Sequence, residues 1–400
     1  MEYGSILLKH LWRNAGTGKG TGAALALPLV LLAALAALVA GCGAEDGTAA
    51  GRPSLGPGAF PDESWAELAS DGDDDLWLAV AGYQRNGDFG LRVFRRGASD
   101  WEELPVPPGQ VSQDLPMSIA VPVGIGDGPC VGYSTGLRPS PVVACFREGA
   151  WESLGIPAKG QLLQIGAQDG ELVAMIGEQR ARTSRYRLLR NAGEGWTSTP
   201  PVSAPPAVAR LAIESPQGPE ANFPGIGFAT QGRLSQHFVT ELRDGRWRRL
   251  EPTLQDIATG PLVGGPVLLD KRVLYPVTEA DVEPWSFSVQ TARIGSNDAR
   301  PEQLSTGAGN AQGRLDLAGD QVWATWQEHR PRKKGGFRAA VFAAELTPQG
   351  QLDRKVRLWQ GVSIGPGSIQ VVEFQGRTLA LYMRATNDGR GLRATVENID

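Results

Sequence analysis

A tight turn recurs along this chain about every fifty residues, near Gly72, Gly128, Gly170, Gly218, Lys271, Asp320 and Gly376. Each turn lies between two short apolar runs, and a more polar third run and a fourth run follow. Helical periodicity is nearly absent beyond residue 61, while runs of Val, Leu, Ile and aromatics alternate with Gly, Asp, Asn and Pro. That is the pattern of strands and turns. The first copy reads Trp65–Ser70, the turn Asp71–Asp75, then Leu76–Tyr83, Gly90–Arg95 and Trp101–Val106. The third reads Leu162–Ala167, Glu171–Gly177, Arg185–Arg190 and Trp196–Pro200, and the sixth Leu315–Ala318, Gln321–Gln327, Phe337–Leu346 and Leu352–Trp359. The fourth run opens on a tryptophan at Trp101, Trp151, Trp196 and Trp247. A lone four-stranded sheet cannot bury both of its faces, whereas a ring of such sheets can. The expectation is therefore an all-β chain, a β-propeller of seven four-stranded blades. Six or eight blades, or a string of β-sandwich domains, also satisfy the strand pattern. The last copy, Ile369–Phe374, Thr378–Arg384 and Leu392–Val396, ends one strand short, and residues around Pro53–Phe60 are the candidates to complete it.

Upstream of the repeats, Lys9, Arg13 and Lys19 precede an apolar run from Ala23 to Ala40 that ends in Leu38-Val39-Ala40-Gly41-Cys42. Basic residues, an apolar stretch and small residues before a cut site make an export signal. A retained membrane helix needs about 20 apolar residues, and this run has 18, interrupted by Pro28. The closing pentapeptide resembles the lipobox of bacterial lipoproteins. The resemblance implies cleavage before Cys42, diacylation of that cysteine, and a protein lipid-anchored to the cell membrane on its extracytoplasmic face. The implied organisation is a signal peptide over 1–41, a Gly/Ala/Pro/Ser linker over 42–61 and the propeller over 62–400. Gly16-Thr17-Gly18-Lys19 echoes a phosphate loop but lies inside the signal, with no strand before it.

Removing the signal leaves 36 Lys and Arg against 42 Asp and Glu, a balance that argues against nucleic-acid binding. Seven Lys against 32 Arg is a compositional bias, so arginine frequency alone carries no function. With Cys42 assigned to lipid, Cys130 and Cys145 remain, and an even pair in an oxidising compartment reads as a disulfide. They flank a turn at Gly136-Leu137-Arg138-Pro139, and in a symmetric hairpin they face each other at a separation a disulfide spans.

Several motifs invite chemistry. Gly132-Tyr133-Ser134-Thr135-Gly136 matches the nucleophile elbow Gly-x-Ser-x-Gly, but that motif needs a helix after the serine, and a hairpin is expected here. Asp71, Asp73 and Asp75 present hard oxygens suited to Ca²⁺, without the bidentate glutamate of an EF-hand loop. Asp-Gly is also what a tight hairpin turn requires. His237 and His329 have no Cys/His partners for a transition metal, and no cofactor motif is present. Ser99-Asp100-Trp101 and Asp244-Gly245-Arg246-Trp247 are fragments of the Asp box, Ser-x-Asp-x-Gly-x-Thr-Trp, and in this the chain resembles sialidase-like propellers. That resemblance implies the architecture; for activity it would imply a glycan hydrolase with a Tyr nucleophile, for which Tyr83, Tyr133 and Tyr382 lie near the ends of second strands.

Cations collect in the segments joining second and third strands: Arg85, Arg138, Arg180, Arg182, then His329-Arg330-Pro331-Arg332-Lys333-Lys334, with Arg384 beside the last. In an antiparallel blade these segments share one face. Asp88, Asp281, Glu283 and Asp388 lie among them. A focused positive face on a net-acidic protein suits carboxylated or phosphorylated partners. The expectation is a noncatalytic binding or scaffolding module for an anionic envelope glycan or an envelope protein, with a sialidase-like hydrolase as the alternative.

Overall fold

The computed structural model describes residues 54–400 outside the segments 61–63, 84–87, 113–116, 180–183, 213–224, 231–234, 258–265, 280–285, 294–299, 306–310, 332–336 and 387–390 and several shorter breaks. Among the described residues the strands form seven antiparallel sheets, six of them built from consecutive strands. Sheet one comprises Trp65–Ser70, Leu76–Tyr83, Phe89–Arg96 and Trp101–Glu103. Sheet two comprises Ser118–Ala120, Cys130–Thr135, Ser140–Arg147 and Ala150–Ser153. Sheet three comprises Gln161–Gln168, Glu171–Gln179, Ser184–Asn191 and a fourth strand described below, and sheet five Val267–Leu269, Arg272–Glu279, Ser286–Arg293 and Arg300–Ser305. Sheet six comprises Ala311–Ala318, Gln321–Pro331, Phe337–Leu346 and Leu352–Gly361. Neighbouring sheets touch in order from one to seven, and sheet seven touches sheet one again. The chain is a β-propeller.

Prolines account for two departures from the expected strands. The fourth strand of sheet one stops at Glu103, just before Pro105 and Pro107. That of sheet three is split into Trp196–Ser198 and Val202–Ala204, both paired with Ser184–Asn191. Pro200 and Pro201, which have no N–H for the ladder, lie in the gap. A third departure bears on the basic loop. The second strand of sheet six continues to Pro331, paired with Phe337, so His329 and Arg330 are strand residues. Gly218 lies outside the described residues.

Sheet seven is completed from the other end of the chain. Ile364–Phe374, Arg377–Ala385 and Leu392–Asn398 supply three strands, and Ser54–Leu55 pairs with Val396 and Thr395 as the fourth. Phe60 and Leu392 then exchange two backbone hydrogen bonds of 2.7 and 2.6 Å. The Phe60 ring is buried among Leu68 and Phe94 of sheet one and Leu381, Met383 and Val396 of sheet seven. The expected closing segment is the one used.

The core is a set of wedges between sheets. Ala79, Ala81, Leu91 and Val93 of sheet one meet Ile119, Val131 and Tyr133 of sheet two. Phe287 and Val289 of sheet five meet Leu315, Ala324 and Trp326 of sheet six. Polar side chains tie several wedges, some at the first strands and others at the fourth. At the first strands, Ser118 Oγ accepts from Ile165 N (2.7 Å), Asp316 Oδ2 from Val371 N (3.0 Å), and Gln370 bonds both N and O of Leu68. At the fourth strands, Trp151 Nε1 donates to Pro105 O (2.5 Å), Trp247 Nε1 to Pro200 O (2.7 Å) and Lys355 Nζ to Leu304 O (3.3 Å). Trp151 and Trp247 are thus latches onto the preceding sheet, whereas the buried indole N–H groups of Trp101 and Trp196 have no such acceptor among the described residues.

Cys130 and Cys145 are directly opposed in register and form the disulfide, with Cα atoms 4.0 Å apart. The intervening hairpin also accounts for the Gly-x-Ser-x-Gly match. A Cβ on Gly132 would lie 2.6 Å from Ile165 and Leu162 of sheet three, so only glycine lets the two sheets approach. Ser134 is buried, and its Oγ accepts from Leu162 N at 2.9 Å. It is an inter-sheet tie on a strand.

Candidate functional site

Antiparallel order decides which loops share a face. A second strand ends, a third begins, a fourth ends and the next first strand begins at the same end of each sheet. Second-to-third loops and sheet-to-sheet connections therefore lie on one face, and first-to-second turns lie on the other. Arg138 is exposed in its turn between Cys130–Thr135 and Ser140–Arg147 on the loop face. Arg330 and Arg384 lie near the ends of second strands on the same face. Arg85, Arg180, Arg182, Arg332, Lys333 and Lys334 lie outside the described residues. So does Cys42.

The described cations are not equally available. Arg330 is exposed but holds the buried Glu328 carboxylate through two bonds, 2.8 and 3.1 Å to Oε2. Trp326 Nε1 donates to Glu328 Oε1 at 3.1 Å. Lys355 stands over the Trp326 and Phe342 rings at 4.7 and 4.6 Å. Burial lowers the Lys355 ammonium from its ordinary range, and Glu328 partly offsets this. Burial also lowers the His329 imidazole. Trp326 and Lys355 reach sheet five from this side of sheet six, so the Glu328 carboxylate there is balanced by Arg330 and Lys355.

Arg384 belongs to a second cluster, with Tyr382 and Glu397 on sheet seven. Burial raises the Glu397 carboxyl to about 7, against opposing effects of the Tyr382 hydrogen bond and the Arg384 charge. Tyr382 is buried, and its phenol is pushed upward by desolvation first and the Glu397 charge second. Such a phenol stays protonated and acts as a donor to Glu397. Tyr133 is similar: burial raises it to about 12, and its hydroxyl donates to Pro108 O. Neither has the lowered pKa or accessible oxygen of an activated nucleophile.

The acidic turn lies on the opposite face. Asp71 Oδ1 accepts from the N–H groups of Asp74 (3.0 Å) and Asp75 (2.9 Å). Asp75 Oδ1 accepts from Arg95 Nε at 2.7 Å. Asp73 lies outside the described residues. Two of the three candidate Ca²⁺ ligands thus hold the turn and its neighbouring strand.

One cavity opens on the loop face, in the wedge between sheets one and two. It measures about 340 Å³ and is lined by Asp88, Phe89, Leu91, Val106, Gln110 and Tyr133, with neighbouring backbone. Strand patterning flagged Tyr133 alone among these as a candidate. Val106 and Gln110 belong to a connection whose path depends on sheet packing, so no local spacing points to them.

No family model matches the sequence, and no curated protein matches it. Among solved structures, the chain is similar to the polysaccharide lyase Uly1, at 11% identity and a TM-score of 0.53 over 85% of this chain and 90% of that one. It is similar to a PL25 ulvan lyase bound to -[GlcA(1-4)Rha3S]-, at 9% identity and 0.50 over 88% and 96%. The β-propeller domain of Myceliophteria thermophila Cps50 (Swd1) matches at 9% and 0.51 over 87% and 100%. At these identities the likeness is one of fold, and the fold shared is the β-propeller.

Proposed function

We propose that the chain is an exported lipoprotein, acylated at Cys42 and held on the extracytoplasmic face of the cell membrane, whose propeller is a noncatalytic binding module for anionic envelope glycans. The observation that carries the binding half is topological. Arg138, Arg330 and Arg384 fall at one end of the sheets. Clustered positive charge at one mouth attracts carboxylate- or phosphate-bearing polymers. The fold likeness to polysaccharide lyases, one solved with -[GlcA(1-4)Rha3S]-, supports a glycan as the ligand class. A protein partner on the envelope would use the same face.

Pull-down of the detergent-solubilised protein on an anionic glycan, with and without Arg332→Ala/Lys333→Ala/Lys334→Ala, tests the binding. Retention that weakens with salt and with the triple substitution is expected. Unchanged retention, or none, removes the support. For the anchor, Cys42→Ala should move the protein out of the membrane fraction.

The second reading, a sialidase-like glycan hydrolase, is favoured by one grouping, Tyr382 with Glu397 and Arg384. Burial of Tyr382 weighs against it. Turnover of a sialoside that disappears in Tyr382→Phe would establish it over the binding module.

A further inference from the structure

Three pairs of arginines whose side chains are described stand directly opposite each other across antiparallel strands: Arg330–Arg338 in sheet six, Arg384–Arg393 in sheet seven and Arg272–Arg293 in sheet five. Like charges in that relation repel, with Cβ atoms about 5 Å apart. The first two pairs lie at the loop-face ends of neighbouring sheets, where second strands end and third strands begin. Arg272–Arg293 lies at the opposite face, and Arg293 has an interaction partner of its own.

What offsets these charges differs from residue to residue. Arg330 is matched by Glu328. Its opposite, Arg338, is exposed and has no ion pair among the described residues. Arg384 acts on the Glu397 carboxyl, which burial raises to about 7, so near neutral pH that carboxyl is only partly ionised. Arg393 has neither an ion pair nor a hydrogen bond among the described residues, and its Nε is buried. Leaving a buried charged donor without an acceptor costs more than leaving a neutral one, so this guanidinium calls for an anion.

The surroundings keep the balance positive. Arg384 and Arg393 share a side of sheet seven with Tyr382 and Thr395, two residues further along each strand. Tyr382 packs on Ala339 and Val341 of sheet six, and its phenol stays protonated. His329, opposite Ala339 in register, is lowered by burial and is uncharged at neutral pH. Guanidinium forks match carboxylate oxygens in two-bond geometry. Arg338 stands at the same end of the next sheet, and packed sheets are about 10 Å apart. A short acidic sugar can engage the pair in sheet seven, and a polymer with an acid on successive sugars can reach Arg338 as well.

We propose that Arg384 and Arg393 form a carboxylate subsite at the loop-face end of sheet seven, and that a polyuronate chain held there extends to Arg338 of sheet six. This rests on the anionic-glycan reading above and assigns its contact residues.

The test measures binding of digalacturonate and hexagalacturonate to the detergent-solubilised full chain by calorimetry. The hexamer is expected to bind about tenfold more tightly, through its second point of attachment. Arg384→Gln and Arg393→Gln should each weaken both ligands about tenfold, the loss of a charged hydrogen bond, and Arg338→Gln should weaken the hexamer alone. Arg377→Gln makes the same change of charge at an exposed position on the turn-face end of sheet seven and should leave both affinities unchanged. Melting curves check the folding of each variant, and Arg384→Gln carries the test if Arg393→Gln does not fold. An equal loss in Arg377→Gln marks a diffuse charge effect and overturns the site. Parental affinity for the hexamer in Arg338→Gln overturns the extension to sheet six. Hexamer binding that is indifferent to Arg384 and Arg393 but lost in Arg332→Ala/Lys333→Ala/Lys334→Ala overturns the subsite and leaves the anionic-glycan reading standing. Binding of neither ligand overturns both.

Discussion

Burial sets the ionisation of Glu397 against the fold. Its carboxyl is raised to about 7 in the folded protein from 4.5 unfolded. Between those values the folded state holds the extra proton, so stability falls as pH rises from about 4.5 through 7. Glu397→Gln should remove that slope. Its urea midpoint is expected to match the parent near pH 4 and exceed it at pH 8, by roughly 1–2 kcal/mol after discounting for the residue's partial solvent access. A parent midpoint that rises over this range would contradict the assignment. Gly132 marks a different constraint. Nothing local in Gly-Tyr-Ser-Thr-Gly requires glycine at the first position; Ile165 and Leu162 of the next sheet do. Gly132→Ala should lose about 1–3 kcal/mol through overpacking, read as a drop in melting temperature.

At the scale of single elements, the second-strand/third-strand hairpin of sheet two was legible almost in full. The midpoint of Cys130 and Cys145 places them opposite each other, and so they are. Replacing both by serine should cost about 3 kcal/mol for a separation of 15 residues, measured by denaturant titration without reductant. The fourth strands were legible in position but not in purpose. A tryptophan at their start suggests an apolar anchor, yet Trp151 and Trp247 act by donating to the carbonyls of Pro105 and Pro200 on the preceding sheet. Trp151→Phe keeps most of the ring and leaves Pro105 O without that donor; a loss of about 0.5–1.5 kcal/mol is expected. In sheet six, Lys355 makes the equivalent bond to Leu304 O.

For the whole molecule, ring closure is the decisive event. Ser54–Leu55 and Phe60 join the last sheet to the beginning of the chain, and the Phe60 ring sits in the wedge between sheets seven and one. Phe60→Ala should cost about 3–5 kcal/mol and speed proteolysis at both ends of the chain together, because one contact secures both. Cleavage confined to one end would argue against that coupling. The sequence alone determined the all-β class, the period of the sheets, the closing segment and the disulfide. All of these rest on local alternation, turn residues and spacing, which a strand carries wherever it is placed. Only the tertiary structure decided which residues meet across wedges. Ser134 became a tie to Leu162, and Arg330 a partner of Glu328. The reason is physical: strand patterning says which side of a sheet a residue faces, and the neighbouring sheet, distant in sequence, determines what it faces there.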